Sequence, residues 1–290
     1  MSQVNPSSPA MAQLTSYQHL FPTIALTVLY YDFAQTIHLE VERYWFRSLS
    51  WASVLFFLNR YNVLLAHTLV VYELVAEIPD SVTQCRCRQL QTFRQILIGL
   101  SQGIVALCLL LRTHALYRRN RRVLYSLVGM LTLGAAVVVW SIFSLHSLQE
   151  HSPPDTTVSS RCSFPISMHQ ATFLAIAWGV MLVFDGTIFV LTLLQGIRSD
   201  RLWSHGLLDC MLKDGAVYFG VLAICYLFTI ITYLDAPTAY RGIFTTLTNV
   251  LSNVLVSRMM LNIRDPGLLE LRIMRSRAAG TAASSTQEDA

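Results

Sequence analysis

Seven stretches of this chain, each about as long as a membrane-crossing helix, are almost free of charge. They run from His19 to His38, from Ser50 to Val75, between Arg94 and Arg112, from beyond Arg122 to His146, from Gln170 to Gly196, from Gly215 to Leu234, and between Arg241 and Arg258. A hydrocarbon layer about 30 Å thick takes roughly 20 mostly apolar residues per helix. Charged residues make up only 13% of the chain, where a soluble domain carries about 25%. The runs are continuously apolar rather than alternating, which argues against a transmembrane β-barrel. Those after the first hold no proline, which predicts unbroken helices. The expectation is an all-α integral membrane bundle of seven helices.

Basic residues set its orientation, because cytosolic loops are enriched in Lys and Arg. One side receives Arg43 and Arg47, then Arg112 with the run Arg118, Arg119, Arg121 and Arg122, then Arg198, Arg201 and Lys213, and finally the tail from Arg258 to Arg277. The other receives only Arg86, Arg88, Arg94, Arg161 and Arg241. This asymmetry predicts an outside N-terminus and a cytosolic C-terminus. The net charge of +4 is then a topological signal and not a sign of nucleic-acid binding. The basic run after the third stretch suits contact with anionic headgroups or with a cytosolic signalling partner. The bilayer is the one partner the composition demands, in the plasma membrane or another membrane of the secretory route.

The chain divides into a short polar outside tail (1–18), a first helical pair (19–66), the remaining helices (67–260), and a cytosolic tail (261–290) that begins as an interfacial helix and ends disordered. The tail before His19 holds no Lys or Arg and does not resemble a cleavable signal peptide, so the first span is expected to act as a signal anchor. Of the six cysteines, Cys85, Cys87 and Cys162 fall in two outside loops. A disulfide joining Cys162 to Cys87 or Cys85 is expected there.

Two charges lie deep in the first pair. Counted from the inner surface, Asp32 and Arg60 each sit about nine residues up their spans, roughly 13 Å deep at about 1.5 Å per residue. An unpaired ion at that depth costs about 2.5–3.5 kcal/mol, which predicts an Asp32–Arg60 ion pair with Asn59 and Asn62 beside it. The rival arrangement sends Arg60 inward to Glu40 or Glu42. Asp185 is a further deep charge, expected to be protonated or bound to a polar partner on another helix. His67, Asn249, Ser252 and Asn253 are expected to form interhelical hydrogen bonds.

Catalytic signals are weak. The run "GLSQG", Gly99 to Gly103, matches a nucleophile-elbow pattern, but that motif needs a strand, a sharp turn and a helix. Within an apolar helix the same glycines read as a packing motif. Histidines and cysteines show no metal-ligand spacing, and the single lysine, Lys213, is too near a helix end for a retinal Schiff base. No metal, cofactor or enzymatic activity is expected.

"YYDFAQTIHLEVERYW" followed by "VLFFLNRY" resembles the signature of the mushroom-type fungal membrane proteins that carry the domain of unknown function 6533. "RTHALYRRNRRVL", "LKDGAVYF" and "SRMMLNIRDPG" resemble further pieces of that family. The resemblance implies a multi-pass seven-helix protein without an established activity, with Asp32, Glu40, Trp45, Asn59, Arg60 and Tyr61 as the signature positions. The function expected is receptor-like or sensory, although the third span lacks an acidic residue before Arg112, the sixth lacks a proline and the seventh lacks N-P-x-x-Y. The alternative is a small-solute or proton transporter using Asp32, Arg60 and Asp185. A ligand is expected in the outer half of the bundle, under the loop that bears Cys162.

Overall fold

Pro9 opens the first helix at the position where a missing N–H costs nothing, and the Ala, Met, Gln and Leu residues after it are favourable helix formers. In the computed structural model the backbone is described over residues 9–46, 50–75, 83–117, 119–150, 168–200, 207–237 and 240–264; side chains are described over 20–46, 50–68, 71, 92–117, 119–140, 168–195, 218–237 and 240–264. Helix α1 (Pro9–Glu40) runs into a π-helical turn, Val41–Trp45, and is followed by α2 (Trp51–Val75), α3 (Thr83–Leu116), α4 (Arg121–Glu150), α5 (Met168–Asp200), α6 (Leu207–Leu234) and α7 (Thr245–Ile263). There is no strand among the described residues. Helix α1 therefore extends back into the stretch expected to be a polar tail.

Each helix packs on the next, and α7 returns to α1, so the seven close into a ring. Helix α3 also touches α5 and α7, and α7 also touches α2. These two helices form the interior. Ile104, Val105 and Cys108 of α3 pack on Val256 and Met259 of α7, and Ala106 and Leu110 pack on Leu127, Phe184 and Ile188. Across α5 and α6, Ala171, Ala175 and Trp178 meet Leu222, Tyr226 and Tyr233.

Among the described residues, three helical segments are long and apolar enough to cross a membrane: Thr92–Leu116, Arg121–Trp140 and Met168–Gln195. A shorter apolar segment, Tyr218–Leu234, lies on α6. Helices α1, α2 and α7 carry their polar residues on buried faces: Asp32, Thr36 and Glu40 on α1, Asn59, Arg60 and His67 on α2, and Asn249, Ser252 and Asn253 on α7.

The expected packing role of Gly99 and Gly103 is not realised, since a Cβ at either position would meet open space. The close approach comes instead at Gly134, where a Cβ would lie 2.9 Å from Val180 Cγ1 and so sets the α4–α5 spacing. Gly242 has φ +74°, and a Cβ there would stand 2.7 Å from the Tyr233 hydroxyl, which is hydrogen-bonded to Thr245 Oγ1 at 2.8 Å. The turn delays the start of α7 to Thr245 and carries the helix past Arg258. Gly242→Ala is expected to cost about 1–2 kcal/mol from the left-handed backbone, read as a lower thermal midpoint of the purified protein. An unchanged midpoint would show that the turn relaxes freely.

Candidate functional site

The first helical pair meets α7 through a set of buried polar contacts. Arg60 pairs with Glu40, Nε to Oε2 at 2.7 Å, with the two side chains only 4% and 0% exposed. The guanidinium also donates to Thr36 Oγ1 at 2.8 Å and to the Phe33 carbonyl at 3.2 Å, and it stacks 4.6 Å from the Phe33 ring. The second carboxylate oxygen, Oε1, accepts from Tyr61 at 2.8 Å and from the Trp45 indole at 3.0 Å. Glu40 is thus the hub, and it joins α1, the π-helical turn and α2.

Asp32 does not take Arg60. Its Oδ1 accepts from Arg258 Nε of α7. The expected Asp32–Arg60 pair is replaced by two pairs, Arg60–Glu40 and Arg258–Asp32. The cause is rotation around α1. Eight residues at about 100° each leave Glu40 about 80° around the helix from Asp32, so one carboxylate faces α2 while the other faces α7. Equal depth could not reveal that difference. In the sequence Arg258 stands as one basic residue among those at a helix end, and the extension of α7 past it makes it a partner.

A second layer fills the α2–α3–α7 junction. Asn59 donates to the Asn253 carbonyl at 3.0 Å and to Ser257 Oγ at 2.8 Å. Asn62 donates to Ser101 Oγ at 2.7 Å. Gln102 donates to Asn249 Oδ1 at 3.0 Å and to Ser252 Oγ at 2.9 Å, and Asn253 caps the Asn249 carbonyl at 2.6 Å. Sequence reasoning missed Gln102, although a glutamine inside an apolar run was a signal available to it. Asn59 Oδ1, Asn253 Oδ1 and Asn249 Nδ2 are buried and hydrogen-bonded to no described group. In folded proteins ordered water commonly meets such groups. His67 makes no interhelical bond among the described residues; its Nδ1 lies 2.8 Å from the Val63 carbonyl of its own helix.

Asp185 accepts from the Tyr226 hydroxyl at 2.9 Å, linking α5 to α6. It also lines a cavity of about 60 Å³ with Arg112, Phe189, Thr192, Phe219 and Met259. The apolar cavity that admits benzene in another protein measures about 150 Å³, so this space suits water or a small polar group. It lies among α3, α5, α6 and α7, one turn before the ends of α3 and α7. The loop that bears Cys162, under which a ligand is expected, lies outside the described residues. Arg112 Nη1 donates to the Met259 sulfur. Asp185→Asn keeps an acceptor for Tyr226 and is expected to change the thermal midpoint little. Asp185→Leu leaves a buried hydroxyl without its acceptor and is expected to cost about 1–3 kcal/mol. Equal effects from both variants would show that the hydrogen bond is not what Asp185 contributes.

Arg119, Arg121 and Arg122 are exposed at the α3–α4 turn, while Arg118 lies outside the described residues. So do Cys162 and the side chains of Cys85 and Cys87, and with them the expected disulfide. Cys108 and Cys225 are free thiols. No group of three His, Cys, Asp or Glu residues placed to hold a metal occurs among the described residues.

Residues 21–65 match the family of unknown function DUF6533. No curated protein and no solved structure matches the chain. The DUF6533 segment includes Phe33, Thr36, Glu40, Arg60 and Tyr61, the whole of the Glu40 hub apart from what α7 adds to its surroundings. It also includes Asp32 and Asn59, whose partners Arg258, Asn253 and Ser257 lie beyond it. In this chain the segment that matches DUF6533 therefore couples a helical pair to a distant helix.

Proposed function

We propose that this chain is a seven-span membrane protein of the fungal DUF6533 kind, N-terminus outside and C-terminus cytosolic, that acts as a receptor-like or sensory protein without catalytic activity. One observation carries the reading: the helices close into a ring whose cavity is bounded by α3, α5, α6 and α7 together. A group that enters or leaves that cavity acts on four helices at once and biases their relative placement, which is the requirement for a conformational signal. The basic turn between α3 and α4, close to the same end, is the proposed docking point for a cytosolic partner. Helix number and the buried polar residues of α1, α2 and α7 support seven spans, and the charge asymmetry supports the orientation.

Transport is the second reading, and Asp185 at the cavity wall favours it. Asp32 and Arg60 do not, because each is held by a counter-charge. Affinity purification from native membranes in mild detergent, with and without a GTP analogue, separates the two readings. A heterotrimeric G-protein subunit that copurifies and is released by nucleotide is the expected result. No such subunit under either condition, together with vesicle flux abolished by Asp185→Asn, would put transport in its place.

A further inference from the structure

Arg60, Arg258 and Arg264 differ in what neutralises them. Arg60 has Glu40 and Arg258 has Asp32. Arg264, one residue beyond α7, has no carboxylate among the described residues, yet its guanidinium is fixed. It lies 4.0 Å over the Tyr44 ring, and its Nη2 donates to Ser50 Oγ and Ser53 Oγ, both at 3.0 Å. Its Nη1 makes one long contact, 3.5 Å, to the Arg43 carbonyl. A guanidinium carries five N–H donors, so two remain for another acceptor. The carboxylate of Glu40 is occupied by Arg60, Tyr61 and Trp45, and Glu42 points to the exterior.

The surroundings identify the medium. Phe46 and Trp51 are each 84% exposed and Trp45 is 58% exposed, and they adjoin Tyr44 and Ser50, the residues that hold Arg264. Aromatic rings in such positions belong at the headgroup level of a bilayer, where an apolar body and a wet edge are both accommodated. The abundant anions at that level are lipid phosphates.

We propose that Arg264, held by Tyr44, Ser50 and Ser53 between the exposed aromatics, binds the headgroup of an anionic phospholipid. The site ties the start of α2 to the end of α7, the two elements that the polar layer joins deeper in the bundle. In the proposed orientation it faces the leaflet where anionic lipids concentrate. It rests on the membrane reading and not on a receptor role.

The test uses the full-length protein in nanodiscs of phosphatidylcholine with or without phosphatidylserine, with retained lipid counted by native mass spectrometry. Phosphatidylserine is expected to be retained in preference to phosphatidylcholine, and about fivefold less of it after Arg264→Gln. Arg264→Lys, which keeps the charge but loses the planar fork, serves if the glutamine variant does not fold, and an intermediate loss is expected from it. Equal retention of the two lipids, retention undiminished in both Arg264 variants, or displacement of the lipid by millimolar inorganic phosphate would each overturn the assignment.

Discussion

Arg60→Met is expected to destabilise the protein by about 3–5 kcal/mol, because it strands a carboxylate at a fully buried position. Glu40 would keep its two weaker donors, Tyr61 and Trp45, but lose its ion-pair partner. The thermal midpoint in detergent should fall sharply, and surface expression with it. Adding Glu40→Met to Arg60→Met should recover much of the loss, since an apolar pair of similar volume removes the uncompensated ion. Asp32→Asn should behave differently. Its partner Arg258 is 41% exposed on the side chain and is not left as a fully buried ion, so the expected cost is about 1 kcal/mol or less. Exchanging the charges of Asp32 and Arg60 should rescue nothing. Rescue by that exchange would restore the pairing inferred from depth alone and contradict the Glu40 hub.

Asn249→Leu is expected to cost about 1–3 kcal/mol by leaving one buried Gln102 N–H without its acceptor. The residue is 0% exposed, so a leucine also crowds the α3–α7 contact. Gln102→Leu on its own should cost less, and the double variant should show a coupling of about 0.6–1.7 kcal/mol, the range of measured hydrogen bonds between membrane helices. Strict additivity would mean that the two side chains do not act as a pair. The readout is again thermal unfolding, with retention of a monodisperse elution peak as the check on folding.

These two sites differ in how far the sequence exposed them. Asn249, Asn253, Asn59 and Arg60 were legible as polar exceptions in apolar runs, because transferring such groups to lipid is costly and they must face inward. Gln102 is equally exceptional, but it sits between glycines whose spacing carries the more familiar motif. Arg264 had no signal of its own, since one more arginine in a basic tail looks like every other. What distinguishes it is a ring beneath it and two hydroxyls beside it, contributed by residues more than 200 positions away in the chain.

By itself the sequence determined that the chain is helical, that seven stretches suit the interior of a bundle, and that certain polar residues must be buried, because these follow from run length and transfer cost. Only the tertiary structure decided who pairs with whom. Depth is a one-dimensional quantity that can be counted along a helix, whereas partnership depends on the angle around the helix and on which neighbour stands there. Asp32 and Glu40 lie on the same helix, and a rotation of about 80° between them sends one to α7 and the other to α2.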